Sequence, residues 1–94
     1  MVVVGICTIT LIMHEPNSLK EKRHILKSVI ERLKSRFNVS VAETGLNDKW
    51  QTAEIGISCV SNDKVHIDKT LNNVLNFVEN DYRVEVSDCQ IEIF

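Results

Sequence analysis

The sequence predicts an α+β fold in which a four-stranded antiparallel sheet carries two helices on one face. Two observations lead to this prediction. Apolar residues recur with a period of two in four segments and with a helical period in two others, and the segments follow the order βαββαβ. A length of 94 residues with 44% hydrophobic and 26% charged residues is typical of one globular domain, so we expect residues 1–94 to form a single domain.

The first predicted strand runs from about Val2 to Met13. Large apolar residues occupy most of its odd positions, whereas its even positions mix apolar and hydroxyl side chains. We therefore expect the odd side to face the core. The strand is followed by a loop, because Pro16 lacks a backbone donor and disfavours a helical conformation in the residue before it.

Two capped helices are predicted. Ser18 and Glu21 have the spacing of a capping box, and the apolar residues from Leu19 to Phe37 fall within one sector at about 100° per residue. The second helix has its N-cap within the segment Ser61-Asn62-Asp63 and extends to about Glu79. Each helix therefore has one apolar side that can pack on the sheet.

The remaining strands complete the predicted sheet. Residues 39–42 and 52–59 alternate apolar and polar side chains on either side of a turn-like segment, which predicts a hairpin. The last strand is expected from about Tyr82 to Phe94, with a bulge or bend near Ser87 and Asp88 where its alternation changes phase. Right-handed crossovers with both helices on one face then lead to a ferredoxin-like βαββαβ sandwich.

The first predicted helix is strongly basic. Between Ser18 and Phe37 there are seven Lys and Arg residues against two Glu, a local balance of +5 that leaves −7 for the rest of a chain of net charge −2. Four of these cations fall within about 60° of one another in helical projection. We call this set the basic flank, and its members are Lys20, Arg23, Lys27 and Lys34.

The basic flank predicts an anion-binding surface. Together with Lys22 and the free backbone amides of the helix start, it has a spacing suited to a phosphate backbone, as in RNA. The alternative interpretation is that these residues keep a surface helix soluble and cover apolar surface with their stems.

The uncovered face of the sheet is the second candidate site. Its even-numbered positions include several valines and isoleucines, more apolar surface than a monomer usually exposes, which predicts an interface with a partner such as a second copy. The alternative is that scattered exposed aliphatic residues are normal for a sheet. The candidate interface residues are Val4, Ile6, Ile12 and Trp50.

Signatures of catalysis are absent from the sequence. Cys7 and Cys59 are expected in the core, and the three histidines are isolated from one another. The first loop lacks the glycine-rich, arginine-bearing phosphate loop of acylphosphatases, and there is no Cys-x-x-Cys pair of the kind found in metal chaperones. None of the five aromatic residues lies within the first or third strand, where RNA-recognition modules stack bases. We therefore predict a protein that is not an enzyme and has neither a cofactor nor a metal site.

A cytoplasmic location is expected. The longest uncharged run, Met1–Met13, is shorter than the roughly 18 apolar residues of a membrane span and does not resemble a secretory signal. Three cysteines without close spacing do not indicate a disulfide framework.

Three stretches, residues 17–23 (NSLKEKR), 37–43 (FNVSVAE) and 48–53 (DKWQTA), together resemble the YlxP-like bacterial family of small proteins of unknown function. The resemblance implies a ferredoxin-like fold and a cytoplasmic location. In many members the gene lies near those of a translation initiation factor and a ribosome-binding factor, which implies association with RNA or ribosomes. Many members have histidine where this chain has Asn17, and the family has no established catalytic residue.

Two functional hypotheses of different classes follow. In the first, the chain is a cytoplasmic binding protein that associates with RNA or a ribosomal subunit through its basic first helix. In the second, it is a homodimeric protein-interaction or small-ligand regulatory module that uses the open sheet face. A third, a phosphate-ester or acyl-phosphate hydrolase, would lack a general acid, a metal set and a phosphate loop.

Overall fold

The computed structural model describes all 94 residues and confirms the predicted order of elements. One antiparallel sheet contains all four strands in the order β2-β3-β1-β4. This order, with a helix in each βαβ half, defines a ferredoxin-like sandwich. The elements are β1 (Val3–Ile12), α1 (Leu19–Arg36), β2 (Ser40–Gly45), β3 (Thr52–Ser61), α2 (Lys64–Glu79) and β4 (Glu85–Ile93).

The hydrophobic core lies between the sheet and the two helices and contains 19 buried residues. As predicted, the odd positions of β1 face it, and Cys7, Ile9 and Leu11 are fully buried. On β3 the odd positions face the core as well, because the pairing register sets Ile9 opposite Ile55. Both helices therefore cover one face of the sheet and leave the other open.

Both helices begin at the predicted caps. The Ser18 hydroxyl accepts a hydrogen bond from the Glu21 N–H at 3.2 Å, and the Asp63 carboxylate accepts one from the Val65 N–H at 2.9 Å. The Glu21 carboxylate reaches back to the N–H of Asn17, one residue earlier than a capping box requires. Neither helix is long and apolar enough to cross a membrane.

β4 begins later than the sequence predicts. Tyr82 and Arg83 form a turn instead of a strand, because the Asp81 carbonyl accepts a hydrogen bond from the Val84 N–H at 3.2 Å and the Asp81 carboxylate accepts one from the Arg83 N–H at 3.0 Å. The Arg83 guanidinium also donates to the Ser28 hydroxyl on α1 at 3.2 Å. This contact fixes the start of β4 against the first helix.

The irregularity predicted near Ser87 and Asp88 of β4 is a bulge. Thr10 pairs with Asp88, whereas the next residue of β1, Leu11, pairs with Val86, so Ser87 is the extra residue of the bulge. Its hydroxyl donates a hydrogen bond to the Thr10 carbonyl at 3.3 Å. The bulge moves Glu85 onto the open face, because a regular strand would place it on the same face as Cys89.

Candidate nucleic-acid interface

α1 presents the basic flank to solvent. Its four members are exposed, and none of them forms an ion pair. From Lys20 to Lys34 the flank extends about 21 Å along the helix axis at 1.5 Å per residue. Free cations in a row of this length can contact several phosphates of one nucleic-acid strand.

One carboxylate borders the basic flank. Glu31 lies four residues after Lys27 and three before Lys34, so it shares their side of the helix. It forms no ion pair with either cation. Its charge therefore lowers the positive potential of the basic flank without engaging any of its members.

Lys22 does not belong to this surface, which corrects the sequence prediction. The residue is only 1% exposed, and its Nζ donates to the Leu46 carbonyl at 2.7 Å and lies 3.2 Å from Glu43 Oε2. In helical projection Lys22 falls between Val29 and Leu33, in the middle of the apolar sector. Its position in that sector was a sequence signal for burial. Lys22 therefore joins α1 to β2 and to the loop that follows β2.

The loop after β2 contacts the Lys22 ammonium group through its backbone. Leu46 has φ 59°, the left-handed conformation that is uncommon for residues other than glycine. Its carbonyl accepts the hydrogen bond from Lys22. Glu43 Oε2 is buried and has no hydrogen-bond partner, so its ion pair with Lys22 is the interaction that offsets the loss of its hydration.

The backbone amides at the start of α1 are less available to an anion than the sequence suggests. The Glu21 carboxylate accepts from the N–H of Asn17, and the Ser18 hydroxyl accepts from the N–H of Glu21. An incoming phosphate at this position would meet the Glu21 carboxylate. The candidate interface therefore consists of the side chains of the basic flank.

The open sheet face contains the predicted aliphatic residues. Val4, Ile6 and Ile12 project from β1 onto this face, and Ile6 is 37% exposed. They do not form one continuous surface, because Thr8 and Thr10 lie between Ile6 and Ile12. Trp50 is 53% exposed but lies in the loop before β3, outside the sheet.

The same face is acidic, which the sequence analysis did not predict. Its strands carry no Lys or Arg, while four carboxylates project from it. Their positions follow from the pairing of β3 and β4 with the even positions of β1. The four acidic residues are Glu54, Glu85, Asp88 and Glu92.

The cysteines lie on the core side of the sheet, as predicted for two of them. Cys7 and Cys59 are buried, and the Cys7 Sγ lies 3.5 Å from that of Cys89. Burial is the main cause that raises the pKa of Cys7 to about 12, and burial also raises the pKa of Cys59. These thiols are therefore protonated at neutral pH and weakly nucleophilic. No group of three or more His, Cys, Asp or Glu side chains is arranged to hold a metal ion.

The fold and its surfaces define a small ferredoxin-like protein with a basic helix on one layer and an acidic open sheet face. The chain belongs to the family described as "Protein of unknown function (DUF503)", which matches residues 4–91. It is 36% identical over 91 residues to the "Uncharacterized protein YlxP" of Bacillus subtilis (strain 168), covering 97% of this chain and 99% of that protein. The resemblance to the YlxP-like family is thus confirmed.

Two solved structures of designed proteins share the fold. The de novo designed protein Foldit4 has a TM-score of 0.55 at 15% identity, covering 98% of this chain and 96% of its own. The de novo designed protein LFR1 1, described as having a ferredoxin fold, has a TM-score of 0.52 at 15% identity, covering 100% of this chain and 84% of its own. At this identity the similarity concerns the fold alone.

Proposed function

We propose that this chain is a cytoplasmic binding protein without enzymatic activity, which associates with structured RNA or a ribosomal subunit through the basic flank of α1. One observation carries the proposal. Four exposed cations, free of ion pairs, follow one side of a helix in a chain whose net charge is −2. Cations without protein partners are free to replace the counterions of a phosphate backbone.

The placement of these cations supports a role in binding. Lys20 and Arg23 lie in the first two turns of α1, near the positive end of the helix dipole. Positive charge there is unfavourable by a few tenths of a kcal/mol per residue. Helix stability alone therefore does not explain why cations occupy these positions.

The composition of the strands indicates the mode of recognition. None of the four strands contains an aromatic residue, so the sheet offers no surface for base stacking. The carboxylates of the open face would repel phosphates and orient RNA toward the helix layer. We expect the chain to contact the phosphate backbone and to recognise the shape of the RNA, rather than to contact base edges.

The test compares two triple variants that lose the same charge. K20Q/R23Q/K27Q removes three cations of the basic flank, whereas K49Q/K64Q/K69Q removes three exposed cations from elsewhere. Binding to bacterial ribosomal subunits and to total RNA is measured by filter retention at low salt. We expect the flank variant to bind about tenfold or more weakly, with the control near the native chain. Equal loss in both variants, or no binding by the native chain, would refute the proposal.

A further inference from the structure

β4 has a free hydrogen-bonding edge. The strand pairs only with β1, at the end of the sheet order. Val4 and Phe94 exchange both backbone hydrogen bonds, at 3.2 and 2.8 Å. Because such pairs alternate along an antiparallel ladder, Cys89, Ile91 and Ile93 direct their N–H and C=O groups outward. A row of unpaired backbone groups is a template for another strand.

The side chains next to this edge differ between the two faces of the sheet. On the open face Glu85, Asp88 and Glu92 are exposed, and of these only Glu85 has a side-chain partner, the His14 Nε2 at 3.0 Å. On the helix side Ile91 and Ile93 pack against the core but are only half-buried. A strand laid beside β4 would present alternate side chains to these two environments.

We propose that the free edge of β4 receives an extended segment of a partner protein, in which Lys or Arg alternates with apolar residues, as a fifth strand. The basic side chains lie beside the three carboxylates, where opposite charges on neighbouring strands attract. The apolar side chains cover Ile91 and Ile93, and the main chain supplies the hydrogen bonds. This surface is separate from the basic flank, so the proposal does not depend on RNA binding.

Charge favours such a partner over a second copy of this chain. Antiparallel pairing of two β4 edges would place both open faces on the same side of one continuous sheet. That side would carry six carboxylates along the junction, and no strand of either copy supplies a Lys or Arg. The other edge strand, β2, is less suited to pairing with an added strand, because it has only six residues and a register shift between Glu43 and Gly45.

A peptide of about eight residues that alternates lysine and valine is the probe, since it spans most of β4. A block peptide of the same composition and an N-methylated alternating peptide are the controls. We expect only the alternating peptide to bind in calorimetry and to slow hydrogen exchange at the amides of Cys89, Ile91 and Ile93. Equal binding of either control would overturn the proposal, because charge alone would then explain it. The proposal would also be overturned if these amides were protected from exchange without peptide and light scattering showed a dimer. The edge would then be occupied by a second copy of the chain.

Paired variants of equal charge complete the test. D88N/E92Q removes two carboxylates beside the edge, and D68N/E79Q removes two exposed carboxylates of α2. The first is expected to bind the alternating peptide about fivefold more weakly, and the second as the native chain does. Equal affinities of the two variants would contradict the proposal.

Discussion

Lys22 and Glu43 hold α1 and β2 together through a charged contact inside the protein. Removing two charges from water is expensive, and here it is offset by their 3.2 Å contact and by the hydrogen bond from Lys22 to the Leu46 carbonyl. The consequence is asymmetric. Loss of one partner leaves the other charge desolvated and unpaired, whereas loss of both removes the penalty together with the attraction.

Lys22→Met is expected to lower the free energy of unfolding by about 2–4 kcal/mol, because Glu43 remains, with only 21% of its side chain exposed. The double variant K22M/E43Q should recover part of this loss. Urea unfolding gives both values, with exposed Lys27→Met as a control expected within about 0.5 kcal/mol of the native chain. A Lys22→Met chain as stable as the control would show that the ion pair is unimportant.

The contact between Asp81 and Arg83 should make the protein less stable at acidic pH. The Arg83 guanidinium donates hydrogen bonds of 3.0 and 2.7 Å to the Asp81 carboxylate, and holds the pKa of that carboxyl below its ordinary 3.8. A lowered pKa in the folded state means that the stabilisation is complete above about pH 5 and is lost as pH falls through 3.8 and below. Thermal unfolding from about pH 7 to pH 2 should show a shallower acid dependence for Asp81→Asn. Identical pH profiles for the two chains would contradict this role.

α2 packs so closely on β1 that there is no room for a side chain at Gly5. A Cβ at Gly5 would overlap with Ile67 Cγ2 and lie 2.9 Å from Leu71 Cδ1, both on α2. The atoms nearest to a Cβ at Gly56 all belong to the Thr44 side chain, which is exposed on the open face. The helix therefore approaches the sheet at the one core-facing position of β1 that has no side chain.

Gly5→Ala should lower the free energy of unfolding by about 1–3 kcal/mol, because α2 must move away from β1. Gly56→Ala, the matched control, should have a smaller effect, since Thr44 can rotate. Chemical unfolding of the two variants measures the difference. A larger loss for Gly56→Ala would contradict the packing of α2 described above.

α1 offers a gain-of-binding test of the proposed function. Glu31→Gln removes the carboxylate that borders the basic flank and should raise RNA affinity about twofold to threefold at low salt. Glu79→Gln makes the same change in charge at the end of α2 and should have little effect. Filter binding to total RNA compares the two variants. An equal gain in both would show that net charge, and not the basic flank, determines binding.

At the scale of the whole molecule, charge is divided between two layers. α1 carries the basic flank, and the open sheet face carries four carboxylates without a Lys or Arg in any strand. Although the net charge is only −2, the charges are arranged so that the two proposals assign an anionic polymer to one side and a cationic segment to another. The two proposed surfaces are therefore complementary in charge to different partners.

The sequence predicts this architecture well because apolar periodicity and capping residues are local signals. The caps at Ser18 and Asp63 and the bulge at Ser87 are all where those signals indicate. The sequence predicts the candidate site less well than the fold. The apolar sector of α1 indicates that Lys22 is buried, but its charge partner Glu43 lies 21 positions away and no local signal identifies it. The row of carboxylates on β4, Glu85, Asp88 and Glu92, depends on how the bulge sets the pairing register against β1.

The salt dependence of RNA binding tests the role of the basic flank most directly. The logarithm of the binding constant is measured against the logarithm of salt concentration for the native chain, K20Q/R23Q/K27Q and K49Q/K64Q/K69Q. If the flank contacts phosphates, its variant should show a slope smaller in magnitude by about 2–3, because three counterion-releasing contacts are lost, and the control should run parallel to the native chain. Three parallel lines would contradict RNA binding through α1.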